Sequence, residues 1–287
     1  MTNSLFKQVD VFTSIGFKGN PVAVVMNADG LTQESMQAIA NWTNLSETTF
    51  ILPATDPNAD YRVRIFTPKS ELPFAGHPTI GTAFALLESG VISPTDNRVI
   101  QECGAGLISL TVTDTDDGIL ISFALPEPKF ESLSPQDVGK LESLIGADFD
   151  PSCPPVLVDV GARWIVAKTD NAETVLGLKP DFSSLSDFDL KLDATGSCIF
   201  GSYAPNHTSD IEVRSFAPAC GVNEDPVCGS GNGAVAAFLR LYGTSGIFKS
   251  TQGVNVGRNG HIALSISDDQ ILVGGYAITC IEGEIQI

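Results

Sequence analysis

The sequence predicts a chain of two similar domains, each mixing strands with one prominent helix. Two observations carry this. The stretch RIFTPKSELPFAGHPTIGTAFALLESG from Arg64 returns in plan as RSFAPACGVNEDPVCGSGNGAVAAFLRLYG from Arg214, 150 positions later. Each copy also reads as strand, loop, helix. A single duplication at this period indicates paired domains rather than a solenoid.

The copies agree element by element. Both open Arg-x-Phe-x-Pro (Arg64, Phe66, Pro68; Arg214, Phe216, Pro218). Both carry an acidic loop residue, Glu71 in the first and Glu224 with Asp225 in the second. Both continue Pro-x-x-Gly and a polar residue: Pro73, Gly76, His77 and Pro226, Gly229, Ser230. Tyr61 to Phe66 alternates around Val63 and Ile65 as a strand does. From His77 the apolar residues Ile80, Ala83, Phe84 and Leu87 fall at helical spacing, and Gly90 supplies a stop. Ala234, Ala237, Phe238 and Leu241 repeat this after Ser230, which reads as an N-cap. Taken alone, such a serine is a cap and nothing more. The recurrence of helix start, polar residue and acidic loop in both halves points further. Helix N-termini expose unpaired N–H groups and partial positive charge, which suits an anion such as a carboxylate. Two such helices at a domain interface would grip a small acid from both sides.

Composition excludes several classes. The 287 residues are 43% hydrophobic and 17% charged, ordinary for a globular chain, and the net charge of −18 argues against nucleic acid and anionic membranes as partners. No apolar run of membrane length and no signal-peptide layout is seen, so a cytoplasmic location is expected. The six cysteines form no CxxC pair; Cys103, Cys198 and Cys280 read as reduced core residues. Three scattered histidines suggest no metal site.

Along the chain, Lys7 to Phe12 and Pro21 to Val25 are expected strands. Thr32 caps a helix to about Trp42, with Met36, Ile39 and Ala40 inward. Glu47 falls on the connection from that helix to a strand ending at Leu52. A loop glutamate is usually only solvated, but loops on rigid elements also carry chemistry. Val99–Cys103, Leu107–Thr113 and Ile119–Phe123 read as strands. Leu125 to Pro128, with two prolines, reads as the crossover between halves. Ser134-Pro135 starts a helix to about Leu144. Val156–Val160, Arg163–Val166 and Cys198–Tyr203 are strands, and Phe182–Leu190 a short helix. His207 sits in a polar loop and reads as solvated. Thr251–Val256, His261–Ile266 and Ile271–Thr279 complete the strands. Glu282 to Ile287 is too apolar at alternate positions for a free tail and is expected to pair with the first domain.

Several segments together resemble one family. Gly19-Asn-Pro-Val-Ala-Val24, Asn44-Leu-Ser-Glu-Thr-Thr-Phe50, Arg64-Ile-Phe-Thr-Pro68, Leu72-Pro-Phe-Ala-Gly-His-Pro78, Glu224-Asp-Pro226 with Gly229-Ser230, and Gln252-Gly with Gly257-Arg258 are similar to the phenazine-biosynthesis PhzF-like proteins. The resemblance implies an α+β fold of diaminopimelate epimerase type: two pseudosymmetric domains, each a mostly antiparallel sheet rolled around a central helix. Residues 1–124, rejoined by about 270–287, would form one half and 125–269 the other. It implies a cofactor-free isomerase acting on a small carboxylate-bearing amino or hydroxy acid. Glu47 would be the proton shuttle, His77 and Asp225 would orient the substrate and assist, and Gly76, Gly229 and Ser230 would form the anion-binding turns. It also implies a homodimer, which would cover open sheet edges.

One departure bears on mechanism. The related racemases place a cysteine before each helix-start glycine. Cys228 precedes Gly229, but Ala75 precedes Gly76. Two-thiol racemisation is therefore disfavoured, and Cys228 reads as a small core residue. A racemase or epimerase using Cys228 and another base, or a non-catalytic small-acid-binding dimer, are the alternatives.

Overall fold

Alternating apolar residues make the strands, and two Ala- and Gly-rich helices fill the space they enclose. The computed structural model describes residues 3–287. The chain divides into two compact units. One runs up to Phe123 and regains Gly274–Ile287; the other is Ala124–Val273.

The first unit contains β1 (Asn3–Val11), β2 (Asn20–Val25), α1 (Gln33–Thr43), β3 (Glu47–Leu52), β4 (Tyr61–Phe66), β5 (Glu71–Leu72), α2 (Gly76–Glu88), β6 (Arg98–Cys103), β7 (Gly106–Thr115) and β8 (Gly118–Ala124). The second contains β9 (Lys129–Ser132), α3 (Pro135–Ile145), β10 (Val156–Asp159), β11 (Arg163–Lys168), α4 (Ala172–Gly177), α5 (Phe182–Lys191), β12 (Gly196–Ser202), β13 (Ile211–Ala217), β14 (Val222–Asp225), α6 (Gly229–Leu241), β15 (Gly246–Gln252) and β16 (Gly260–Ile266). The chain leaves it along β17 (Ile271–Gly275), and β18 (Ala277–Gln286) returns to the first unit.

Strand pairing shows the duplication directly. In the first unit the strands run β18–β1–β2–β3–β4–β6–β7–β8, parallel only at β2/β3 and β4/β6. In the second they run β9–β10–β11–β12–β13–β15–β16, parallel only at β11/β12 and β13/β15. Short β5 and β14 fold back on β4 and β13.

Helix α2 packs on β1, β2, β3 and β18, and α6 on β10, β11, β12 and β16. Both are buried along most of their length. A helix enclosed on all sides must be apolar all round and thin. Gly81 shows how thin: a Cβ there would lie 2.5 Å from Val22 Cγ1. Outside the first sheet, Met36 and Ala40 of α1 pack on Phe50 and Phe66. Outside the second, Leu141 and Leu144 of α3 and Leu185 and Phe188 of α5 pack with Phe216.

Several expectations shift. The first strand is longer than Lys7–Phe12 and ends because Phe12 turns left-handed, with φ 65°. The strand expected over Thr251–Val256 stops at Gln252, since Gly253 adopts φ 104° and residues 254–256 form a 3-10 turn. The run Ile271–Thr279 is two strands, broken at Tyr276, whose carbonyl accepts from the Phe12 and Thr13 N–H groups. Glu282 to Gln286 belongs to β18 and pairs with β1, Lys7 opposite Glu282 and Asn3 opposite Gln286. All six cysteines are free, and Cys198 is buried, whereas Cys103 and Cys280 are partly exposed rather than core. Among the described residues, no helix is long and apolar enough to cross a membrane.

Candidate functional site

Each unit places candidate site residues near the N-terminus of its enclosed helix. In the first unit Asn44 ends α1 left-handed (φ 54°), its N–H donating to Ala40. The turn delivers Glu47 as the first residue of β3, opposite Val22 of β2, so Glu47 stands at a strand end rather than within the loop. Thr43 and Thr48 brace that turn through their hydroxyls, 2.8 Å apart. Helix α2 then sets His77 beside it: His77 Nε2 lies 3.1 Å from Glu47 Oε2, with little of either side chain exposed.

The imidazole is neutral. Burial depresses its pKa to about 3, against a smaller opposing effect from its hydrogen bond to the Pro21 carbonyl. The contact is thus a close approach of a carboxyl group to a neutral ring, not an ion pair. Ala75, the cap residue of α2, makes no side-chain capping bond, so the first N–H groups of the helix are left for water or a ligand.

In the second unit, β13 and β14 carry Asp225 to the start of α6. Arg214 and Glu224 set their spacing through a bidentate pair, Nη2 to Oε2 at 2.7 Å and Nε to Oε1 at 3.0 Å. Asp225 Oδ1 accepts from the Val227 N–H at 3.0 Å. Burial raises the Asp225 pKa to about 6, opposed by the Val227 N–H and the Cys228 side chain.

The cap of α6 is Cys228, not Ser230 as the sequence suggests: Cys228 Sγ accepts from the Gly231 N–H at 3.2 Å. Ser230 instead lies in the first turn. Its Oγ accepts from Trp164 Nε1 at 3.1 Å and lies 3.6 Å from Cys228 Sγ, a second hydrogen-bonding contact. The Cys228 thiol is buried, and that burial, reinforced by the Asp225 charge, pushes its pKa well above the usual thiol value. A thiol held protonated in this way does not act as the base.

Sequence reasoning missed two contributors. Trp164, on β11, fixes the Ser230 hydroxyl. Gln252, quoted only as part of a motif, bonds the turn that carries Asp225. Arg163–Val166 reads as a strand in the sequence, but neither bond had a local signal. His207 stacks on Tyr203 with ring centroids 3.8 Å apart and stands outside both helix starts. Among the described residues, no group of His, Cys, Asp and Glu is arranged to hold a metal ion.

Several known proteins resemble the chain along most or all of its length. A fission-yeast protein, antisense-enhancing sequence 1 of Schizosaccharomyces pombe, is 45% identical over 99% of both chains. A trans-2,3-dihydro-3-hydroxyanthranilate isomerase of Pseudomonas aeruginosa is 36% identical over 87% of this chain and 86% of its own. Among solved structures, a PhzF-family phenazine biosynthesis protein of Bacillus anthracis superposes with a TM-score of 0.88 at 26% identity, covering all of both chains. The PhzC-PhzF family, described as phenazine biosynthesis-like protein, matches residues 9–283. The chain belongs to this family and is an enzyme of its isomerase class.

Proposed function

We propose that the enzyme moves a proton between carbons of a small carboxylate-bearing amino or hydroxy acid, with Glu47 as acid and base. The contact between Glu47 Oε2 and the neutral His77 ring, at 3.1 Å, carries this reading. Because Pro21 takes one ring N–H, Nε2 is the lone-pair side, placed to accept from the Glu47 carboxyl once that group holds the substrate's proton. Glu47 takes the proton from one substrate carbon and returns it to another as the double bond shifts. His77 orients the carboxyl group while that group holds the proton. Asp225 accepts from the substrate's amino or hydroxyl group. Each helix start offers anion-binding groups: the Gly76 N–H in the first unit, and the Gly229 and Ser230 N–H groups with the Ser230 hydroxyl in the second.

The compound named for the Pseudomonas relative is a suitable first substrate. In heavy water the wild type is expected to return a double-bond isomer carrying solvent deuterium. Glu47→Gln should stay folded yet lose about 10²–10⁴-fold in turnover, the usual contribution of a general acid–base group. Near-normal turnover in that variant removes Glu47 from the mechanism, and inversion without a shifted double bond assigns epimerase chemistry instead. The proposal includes a homodimer; light scattering at micromolar concentration that gives the 30.3 kDa of one chain would refute that part.

A further inference from the structure

We infer that Gln252 is a positioning residue for the Asp225 half of the site, acting through the turn 225–228. This deepens the functional reading above and rests on it where Asp225 is concerned. Gln252 ends β15 and is wholly buried. Its Nε2 donates to the Asp225 carbonyl at 2.8 Å. Its Oε1 accepts from the Cys228 N–H at 3.2 Å and from Asn232 Nδ2 at 2.8 Å. One amide therefore grips both ends of the turn and the helix behind it. Asn232, also wholly buried, extends the grip: its Nδ2 donates to the Cys228 carbonyl at 3.0 Å and its Oδ1 accepts from Ser250 Oγ at 2.5 Å.

The backbone beyond Gln252 closes on the same turn. Gly253 adopts φ 104°, and a Cβ there would sit 2.3 Å from the Pro226 carbonyl oxygen. The chain thus presses against Pro226 while the Gln252 side chain reaches to either side of it. An amide is the side chain for this, because the turn offers one carbonyl and one N–H about a residue pair apart. A carboxylate has no proton for the Asp225 carbonyl, and an apolar side chain leaves both backbone groups unpaired in the interior.

The first unit lacks the device. Tyr61 faces Gln101 and Ile211 faces Ser250, so Cys103 holds the place of Gln252. There the Ala105 N–H donates to the Pro73 carbonyl at 3.1 Å, and Gln101, in the place of Ser250, donates to Thr79 Oγ1 at 3.0 Å. The Gln252 brace stands on the unit that carries Asp225.

The test uses the full chain as Gln252→Met, near in shape but without polar atoms, and Gln252→Glu, which keeps the acceptor and loses the donor. The first readout needs no substrate: the Asp225 carboxyl is followed by carbon-13 NMR against pH. A loosened turn admits water, so the midpoint should fall from about 6 toward ordinary carboxylate values in both variants. The second readout is turnover of trans-2,3-dihydro-3-hydroxyanthranilate, where a displacement near 1 Å should lower kcat about 10²-fold. An unchanged midpoint with the 225–228 turn unmoved in the variant's crystal structure overturns the inference, whatever happens to the melting temperature. If Gln252→Met does not fold, Gln252→Glu decides alone. Asp225→Asn separates the two claims. Full activity in that variant removes Asp225 from the mechanism, while the carboxyl titration still judges whether Gln252 holds the turn.

Discussion

The two units share one clasp and place it in different surroundings. In the first, Arg64 pairs with Glu71, Nη2 to Oε2 at 2.6 Å, and its guanidinium lies 5.1 Å from the Phe66 ring centroid. In the second, Arg214 pairs with Glu224 at 2.7 Å and lies 4.9 Å from the Phe216 ring. The geometry is the same, but the first pair is 27% and 33% exposed and the second 5% and 6%. The first reaches outward, Arg64 also donating to Gln33 of α1. The second reaches inward, Arg214 donating to the Val175 and Leu178 carbonyls at the end of α4. Duplication has conserved backbone plan and side-chain identity, and the energetic meaning of the clasp has changed with the dielectric around it.

The sharpest way to break this comparison is to remove each arginine. Arg214→Met leaves the Glu224 carboxylate and two carbonyls buried without partners, and should cost about 3–5 kcal/mol. Arg64→Met removes a half-exposed pair that water can replace, and should cost less than about 1 kcal/mol. Urea unfolding of both variants checks this, and equal losses would dissolve the distinction.

Next in size is a pH effect confined to the second unit. Asp189, on α5, is wholly buried, and burial raises its pKa to about 7 against a weak bond from Ser197 at 3.4 Å. A raised carboxyl pKa means the folded state holds the proton more tightly than the unfolded state. Its stability is complete below the ordinary carboxylate value and is lost as pH climbs through about 7. Asp189→Asn should therefore raise the melting temperature by several degrees at pH 8 and much less at pH 5. A gain that does not vary with pH would exclude titration of Asp189.

How legible was this in the sequence? Tyr61–Phe66 was read to the residue, because one face of β4 is buried and the other is not. Thr32 and Ser134 cap α1 and α3 as expected, since caps are local chemistry. Short β5, β9, β14 and α4 were invisible, because two to six residues carry no period. The cap of α6 was misplaced because a thiol is an unusual acceptor and a serine stood two residues on. Glu47, His77 and Asp225 were named from motifs, but the Glu47–His77 contact depends on how β3 and α2 are placed, which spacing alone does not determine.

Catalysis offers an intermediate effect. If Asp225 acts ionised, as an acceptor for the substrate, kcat/KM should rise with pH up to about 6 and then level, while the neutral His77 adds no limb in that range. Asp225→Asn should abolish the limb. A limb that survives the substitution belongs to another group. The smallest expected effect concerns the caps. Ala75→Ser gives α2 the side-chain acceptor that Cys228 gives α6, and Ala75 already has extended backbone, φ −152° and ψ 139°. The gain should be about 1 kcal/mol in thermal unfolding.

The pairing of β18 with β1 has a consequence for how the protein is made. The strand that covers one edge of β1 is synthesised only after all of Ala124–Val273 has left the ribosome. At ~5–20 residues per second, that is a delay on the order of 10 s, long compared with domain collapse. During it the first unit is incomplete and β1 offers an open edge, while the second unit is still being made. The unit that carries Glu47 is thus begun first on the ribosome and finished last.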